Sequence, residues 1–278
     1  MKLVMFVEGE KAARPGLVVD GGVIDLGAEG FQDSIAFMQA PSSVQADVAQ
    51  SAATVALNTV RLIAPVPRPP RIFGIGVNYA EHAKESQTET QKVPTVFIVL
   101  SSAVIGPGEK IVLPKASTRP DYEAELAVVI GRPGYQIPAS AAMDHVFGYT
   151  IMNDVSARDV QRATSQFSLG KSFPTFAPMG PWVVSKDEVA DAHALQIKLT
   201  IGGDTLQDSN TSLMIFKIPE LIEYISGITP LEVGDVISTG TPAGVGMGRT
   251  PPRWLKPAEE VVIEIEGIGE LRNPTVAE

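Results

Sequence analysis

Cysteine is absent from the 278-residue sequence. Disulfides, thiolate zinc sites, iron–sulfur clusters and a cysteine nucleophile are therefore excluded. Histidine is scarce, with only His82, His145 and His193. Basic charge is outnumbered, and the formal net charge is -10. Such a surface repels phosphate backbones, so nucleic acid is not an expected partner. No apolar run reaches the roughly 18 residues of a membrane-spanning helix, so no membrane partner is expected. Lys2 opens a short apolar run that soon meets Glu8 and Glu10. That does not read as a secretory signal, and the expected compartment is the cytoplasm. What is present is enough apolar material for a sizeable core, 44% of residues. The length suits one large domain with a small appendage.

The first 65 residues read as a small β/α unit. Leu3–Val7, Leu17–Val19 and Val23–Leu26 are strand-like, and Asp20-Gly21-Gly22 is a hairpin turn signal. Residues from Gln32 to about Leu57 read as helical material broken at Pro41. Four prolines lie between Pro65 and Pro70, and they place a domain boundary there. The remainder, 71–278, is strand-dominated, with short β-branched runs at Arg71–Gly76, Thr95–Leu100, Glu123–Ile130, Val146–Met152, Trp182–Val184, Gln196–Ile201, Asp235–Ser238 and Val261–Glu266. Helices are expected at Ala157–Ser165, after a cap at Ser156, and at Ile218–Ser226, which carries an apolar stripe. The expected class is mainly β with few helices, an α+β arrangement of packed sheets.

Chemistry concentrates in four places. In Asp121-Tyr-Glu-Ala-Glu125, followed by an apolar run, Glu123 and Glu125 point to one side of a strand. Buried without a partner they would cost several kcal/mol or more, roughly, and a divalent cation removes that cost. The bland alternative is a solvated strand start. In Asn153-Asp154-Val-Ser156-Ala-Arg158-Asp-Val-Gln161, Asp154 is either a third carboxylate ligand or a turn residue. Arg158 and Gln161 share a helix face and either meet a substrate carboxylate or face water. Three carboxylates without sulfur suit a hard ion, Mg²⁺ first, with Mn²⁺ or Ca²⁺ as alternatives.

In Asn78-Tyr79-Ala-Glu-His82-Ala-Lys-Glu85, His82 and Glu85 are one helical turn apart. A carboxylate on an imidazole fixes its tautomer and makes it a better base; the alternative is an ordinary surface pair. The polar stretch Ala83–Lys92 is a candidate lid. Lys171 follows Gly170 and either stabilises an enolate or is a surface lysine. The loop Thr239-Gly-Thr241-Pro242 offers N–H groups and hydroxyls to a carboxylate, or is a structural turn. The Gly74–Gly76 pair is not a nucleotide fingerprint, since a third glycine and a βαβ setting are missing. His145 and His193 read as structural or exposed.

Taken together and in order, Gly76-Val-Asn-Tyr79 with His82, Asp121-Tyr-Glu-Ala-Glu125, Gly148-Tyr-Thr through Asn153-Asp-Val-Ser-Ala-Arg158-Asp, Gly170-Lys-Ser-Phe173, Gly180-Pro-Trp182, Gly234-Asp-Val-Ile and Thr239-Gly-Thr-Pro242 resemble the fumarylacetoacetate hydrolase family in its short bacterial form. The resemblance covers about Arg71 to Pro274. It implies a mixed β-sandwich roll, preceded by a variable small domain, usually in a homodimer. It implies metal ligation by Glu123, Glu125 and Asp154. It implies a His82–Glu85 pair acting on water or substrate, with Lys171, Gln161, Arg158, Thr241, Asn78 and Tyr79 around it. One departure stands out: Val99 occupies a position where relatives often carry lysine, which would remove a cation near the pocket mouth.

The expected function is metal-dependent hydrolysis of a carbon–carbon bond in a 2,4-diketo acid such as an acylpyruvate or fumarylpyruvate. His82 would deprotonate water, and Lys171 and the metal would hold the departing enolate. The same site suits decarboxylation or tautomerisation of oxaloacetate, or isomerisation or hydration of a hydroxymuconate-type acid. A rival of another class is a non-catalytic binder of metal and keto acid.

Overall fold

A computed structural model describes residues 1–278. Two sheets dominate. The larger has twelve strands, and its main path runs Val55–Ala56, Gly22–Asp25, Arg14–Val19, Lys2–Val7, Ala177–Ser185, Val146–Asn153, Ala124–Ile130, Val236–Ser238, Ile72–Gly76, Thr95–Val99. The smaller has five: Asp204–Asn210, Gln196–Ile201, Glu260–Ile265, Gly269–Ala277 and Ile111–Leu113. The architecture is the expected mainly β one with few helices.

The strand Ala124–Ile130 is buried along its whole length, and alternate side chains serve two different cores. Ala124, Leu126, Val128 and Ile130 join the core that holds Ile197, Leu199, Ile201, Ile263 and Ile265 of the smaller sheet. The helix Ile218–Ser226 lays Ile218, Leu221, Ile222 and Ile225 into the same core. Ala127 and Val129 point to the other face, with Met152 and Met179. That second core also contains Leu3, Leu17, Ile24, Leu26 and Phe37. The N-terminal strand Lys2–Val7 pairs antiparallel with Ala177–Ser185, Leu3 lying opposite Val183. The sheet therefore runs unbroken across the proline segment where composition changes. The Asp20-Gly21 turn has positive φ at both residues, 42° and 79°, as a two-residue hairpin loop requires.

Two expectations need correction. The helix expected over Ala157–Ser165 is one turn only, Arg158–Gln161. Ser156 and Ala157 pair as strand with Pro120–Asp121, and the Ser156 hydroxyl donates to the Asp154 carbonyl at 3.0 Å rather than capping a helix. Residues 162–166 are exposed and carry no apolar stripe, so nothing holds a longer helix in place. Val99 is fully buried among Phe97, Ala103 and Val129. A side chain there packs the second core, so no cation is missing from the pocket mouth at this position.

Candidate metal and keto-acid site

Parity along the strands brings the acids together. Glu125 lies opposite Met152, and both sit on the face of the second core. Glu123 and Asp154 continue the same two strands by even steps, so their side chains emerge on that face too. Carboxylate oxygens of Glu123, Glu125 and Asp154 lie within 4.8 Å of one another, and all three residues are buried.

Each acid has different company. Glu123 accepts from Arg158 Nη2 at 2.5 Å and from Lys171 Nζ at 2.5 Å. Burial raises its acidity constant's pKa, but the Arg158 and Lys171 charges outweigh burial and hold it down at about 2. Asp154 Oδ2 accepts from Lys171 at 2.6 Å, while its Oδ1 is buried and has no partner. Burial pushes Asp154 up to about 6, against the pull of Lys171. Glu125 accepts from the Ser238 hydroxyl at 2.6 Å and the Gly240 N–H at 2.9 Å. Burial, with the neighbouring Asp154 and Glu123 charges, pushes it well above the carboxylate range. Gly240 reaches it with φ 94°, a conformation that suits glycine.

Asp121, to which the sequence pattern assigned no role, anchors the array. It accepts from Arg158 Nε at 2.8 Å and from the Gly246 and Met247 N–H groups at 2.7 and 3.0 Å. Its place two residues before Glu123 was the available signal. The buried set thus has four carboxylates, Asp121, Glu123, Glu125 and Asp154, against two cations, Arg158 and Lys171. The surplus of two negative charges, the all-oxygen donor set and the unpartnered Asp154 Oδ1 together fit one hard divalent cation.

His82 is buried on the short helix Ala80–Glu85. Its Nδ1 lies 2.9 Å from Glu85 Oε1, and Glu85 is itself held by the Gly244 N–H at 3.1 and 3.0 Å. A carboxylate there fixes the proton on Nδ1 and leaves Nε2 as the basic nitrogen. A cavity is lined by His82, Glu123, Glu125, Arg158, Gln161, Lys171 and Thr241, with Ile75, Gly76, Val77, Ser86, Thr88, Phe97, Arg162, Phe167 and Met247 completing its wall. Val77 takes φ 57° there, a strained value for a β-branched residue. The candidate lid thus contributes Ser86 and Thr88.

The expected substrate contacts divide. Gln161 and Thr241 line the cavity, although the Thr241 hydroxyl donates to the Ala124 carbonyl at 2.9 Å. Arg158 lines it with its nitrogens engaged by Asp121, Glu123 and Gln161. Asn78 stands elsewhere, its amide spent on the Thr239 and Phe216 backbone at 2.7 to 3.0 Å. Tyr79 packs into the sandwich core, and burial raises its pKa. These two support the strand end rather than the cavity. His193 Nε2 accepts from the Ile218 N–H at 3.1 Å, which makes it a structural residue. His145 Nδ1 contacts the Arg132 carbonyl at 2.9 Å, outside the cavity.

The fold and cavity define a β-rich protein with three buried carboxylates that could hold a metal ion, close to a buried histidine and a buried lysine. Residues 71–276 match the model of the fumarylacetoacetate (FAA) hydrolase C-terminal domain, and the chain belongs to the fumarylacetoacetate hydrolase family. It is 43% identical to the mitochondrial oxaloacetate tautomerase of Bos taurus, over 99% of this chain and 92% of that protein. It resembles the crystal structure of 5-carboxymethyl-2-hydroxymuconate delta-isomerase from Mycobacterium smegmatis, with TM-score 0.81, 32% identity, and 100% and 99% of the two chains covered. It also resembles maleylpyruvate hydrolase from Sphingobium sp. SYK-6, solved with manganese (II) and pyruvate, with TM-score 0.82, 28% identity, and 100% and 99% covered. Processing of keto acids by a metal-dependent member of this family fits all three. No helix of the chain is long and apolar enough to cross a membrane.

Proposed function

We propose that the chain is a divalent-metal-dependent oxaloacetate tautomerase. The observation that carries this reading is one cavity lined by His82, Glu123, Glu125 and Lys171, with Asp154 clustered against the same two acids, in a chain 43% identical to a named oxaloacetate tautomerase. Glu123, Glu125 and Asp154 would hold the metal, Mg²⁺ or Mn²⁺, which would supply Lewis-acid stabilisation of enolate charge. His82 Nε2 accepts the proton of the enol hydroxyl and returns one to the adjacent carbon, so the exchange balances with no water consumed. Glu85 keeps the imidazole oriented throughout. Lys171 is buried yet held protonated by Asp154 and Glu123, and its ammonium in the cavity wall would add positive potential that favours enolate charge.

A second reading is hydrolytic cleavage of a 2,4-diketo acid. The same His82–Glu85 pair is compatible with it, because an oriented base can also deprotonate a water whose acidity a bound metal raises, and a structural relative is named a maleylpyruvate hydrolase. Purified protein should be assayed on oxaloacetate and acetopyruvate, with Mg²⁺, with Mn²⁺ and with EDTA. Metal-dependent loss of oxaloacetate enol absorbance without pyruvate release supports tautomerisation. Pyruvate release from oxaloacetate means decarboxylation, and acetate release from acetopyruvate means hydrolysis. Activity indifferent to EDTA rejects the metal in every version, and binding without turnover would make the chain a keto-acid binder. A homodimer and a cytoplasmic location belong to the same proposal, tested by light scattering and by cell fractionation.

A further inference from the structure

Three cations line the cavity: Arg158, Lys171 and Arg162. Two are spent. Arg158 is engaged by Asp121, Glu123 and Gln161, and Lys171 by Glu123 and Asp154. Arg162 is different. No carboxylate lies within ion-pair distance of it, and its one side-chain contact is the Met247 sulfur at 3.7 Å. It directly follows Gln161 at the end of the one-turn helix and is exposed, so it stands at the mouth while its neighbour stands inside.

The charge balance gives this position a meaning. With a dication bound, the four buried carboxylates are neutralised by Arg158, Lys171 and the metal. A keto acid's own carboxylate and carbonyl are then served inside the cavity. A second carboxylate at the far end of the substrate would point toward the mouth, where the interior offers no spare cation. A guanidinium fork is the group best matched to a carboxylate, and Arg162 is the uncommitted one.

We infer that Arg162 is the specificity-determining residue that selects keto acids carrying a second, distal carboxylate. The inference rests on the keto-acid reading above and names the substrate class within it. Arg162 does not touch the reacting atoms, so its effect belongs in KM rather than kcat.

The test compares wild type with Arg162→Gln and Arg162→Lys on oxaloacetate, which has the distal carboxylate, and acetopyruvate, which lacks it. The ratio of kcat/KM values, dicarboxylate over monocarboxylate, should fall about tenfold or more in Arg162→Gln, carried by KM, and should recover in part in Arg162→Lys. Calorimetric titration of the metal-loaded protein with unreactive 2-oxoglutarate and 2-oxobutyrate should show a preference for the former that Arg162→Gln removes. An unchanged ratio together with an unchanged binding preference makes Arg162 a solvated surface residue and overturns the inference. A loss confined to kcat overturns it as well. If wild type turns over neither acid, the proposed function fails, and the titration alone still decides the role of Arg162.

Discussion

His82 can serve as a base through Nε2, and the contact of Nδ1 with Glu85 orients the ring and selects the tautomer that presents that nitrogen. Replacing it by alanine removes the proton carrier and leaves every carboxylate of the trio in place. His82→Ala should therefore lower kcat by about 10² to 10⁴-fold, the usual span for a positioned acid–base group. Mn²⁺ affinity, read by calorimetry, should stay within a few-fold of wild type. Retained turnover would remove His82 from the chemistry. Arg158 acts differently, because its guanidinium compensates two buried acids, Asp121 and Glu123. Arg158→Met leaves Asp121 with only the backbone N–H groups of Gly246 and Met247, and Glu123 with Lys171 shared with Asp154. A loss of about 3–5 kcal/mol in unfolding free energy is expected, the usual cost of breaking a buried pair from one side. Urea denaturation measures it, and a change below about 1 kcal/mol would mean that the acids protonate instead.

At the scale of elements, the first strand is part of the large sheet. It covers the edge of Ala177–Ser185, and Leu3, Leu17 and Phe37 bury Ala127, Val129 and Met179 on the face that also carries the acids. A chain shortened to 71–278 would expose that face and an unpaired strand edge. It should be aggregated or molten, judged by near-ultraviolet circular dichroism and gel filtration. A monodisperse, cooperatively folding fragment would show instead that the later segment is an independent domain. The sequence made much of this level legible. Alternation and β-branched runs located most strands, and the stripe at Ile218, Leu221, Ile222 and Ile225 located its helix. Even spacing put Glu123 and Glu125 on one side. What stayed hidden is non-local. That Asp154 faces those acids depends on register between two strands, Glu125 against Met152, and no local pattern encodes it. The shortness of the helix at Arg158 is likewise a tertiary effect, since local propensity favoured continuing it. Asn78 and Tyr79 sit in a motif next to His82, yet a left-handed Val77 turns the chain and sends them inward.

For the whole molecule, the crowded acids link stability to both protons and metal. Without a cation, burial raises Asp154 from 3.8 to about 6, and Glu125 is raised further in the same direction. A raised carboxylate keeps its proton in the folded state after the unfolded chain has lost it. Its stabilising contribution is complete below the unfolded value, declines as pH climbs, and is gone above the folded value. Glu123 has the opposite sign, but its depressed value of about 2 keeps its contribution constant once pH exceeds the unfolded 4.5. In EDTA, then, these groups should lower the melting temperature as pH rises from about 5 to 7.5. A dication replaces the retained protons, so its binding should release protons and tighten over the same interval. The rise in melting temperature on adding Mg²⁺ or Mn²⁺ should be small at pH 5 and several degrees at pH 7.5, roughly, for metal well above its dissociation constant. Differential scanning fluorimetry across that interval, with and without metal, separates the terms. A metal effect independent of pH would mean that the trio is already ionised in the metal-free protein, with Lys171 sufficing as its counter-charge.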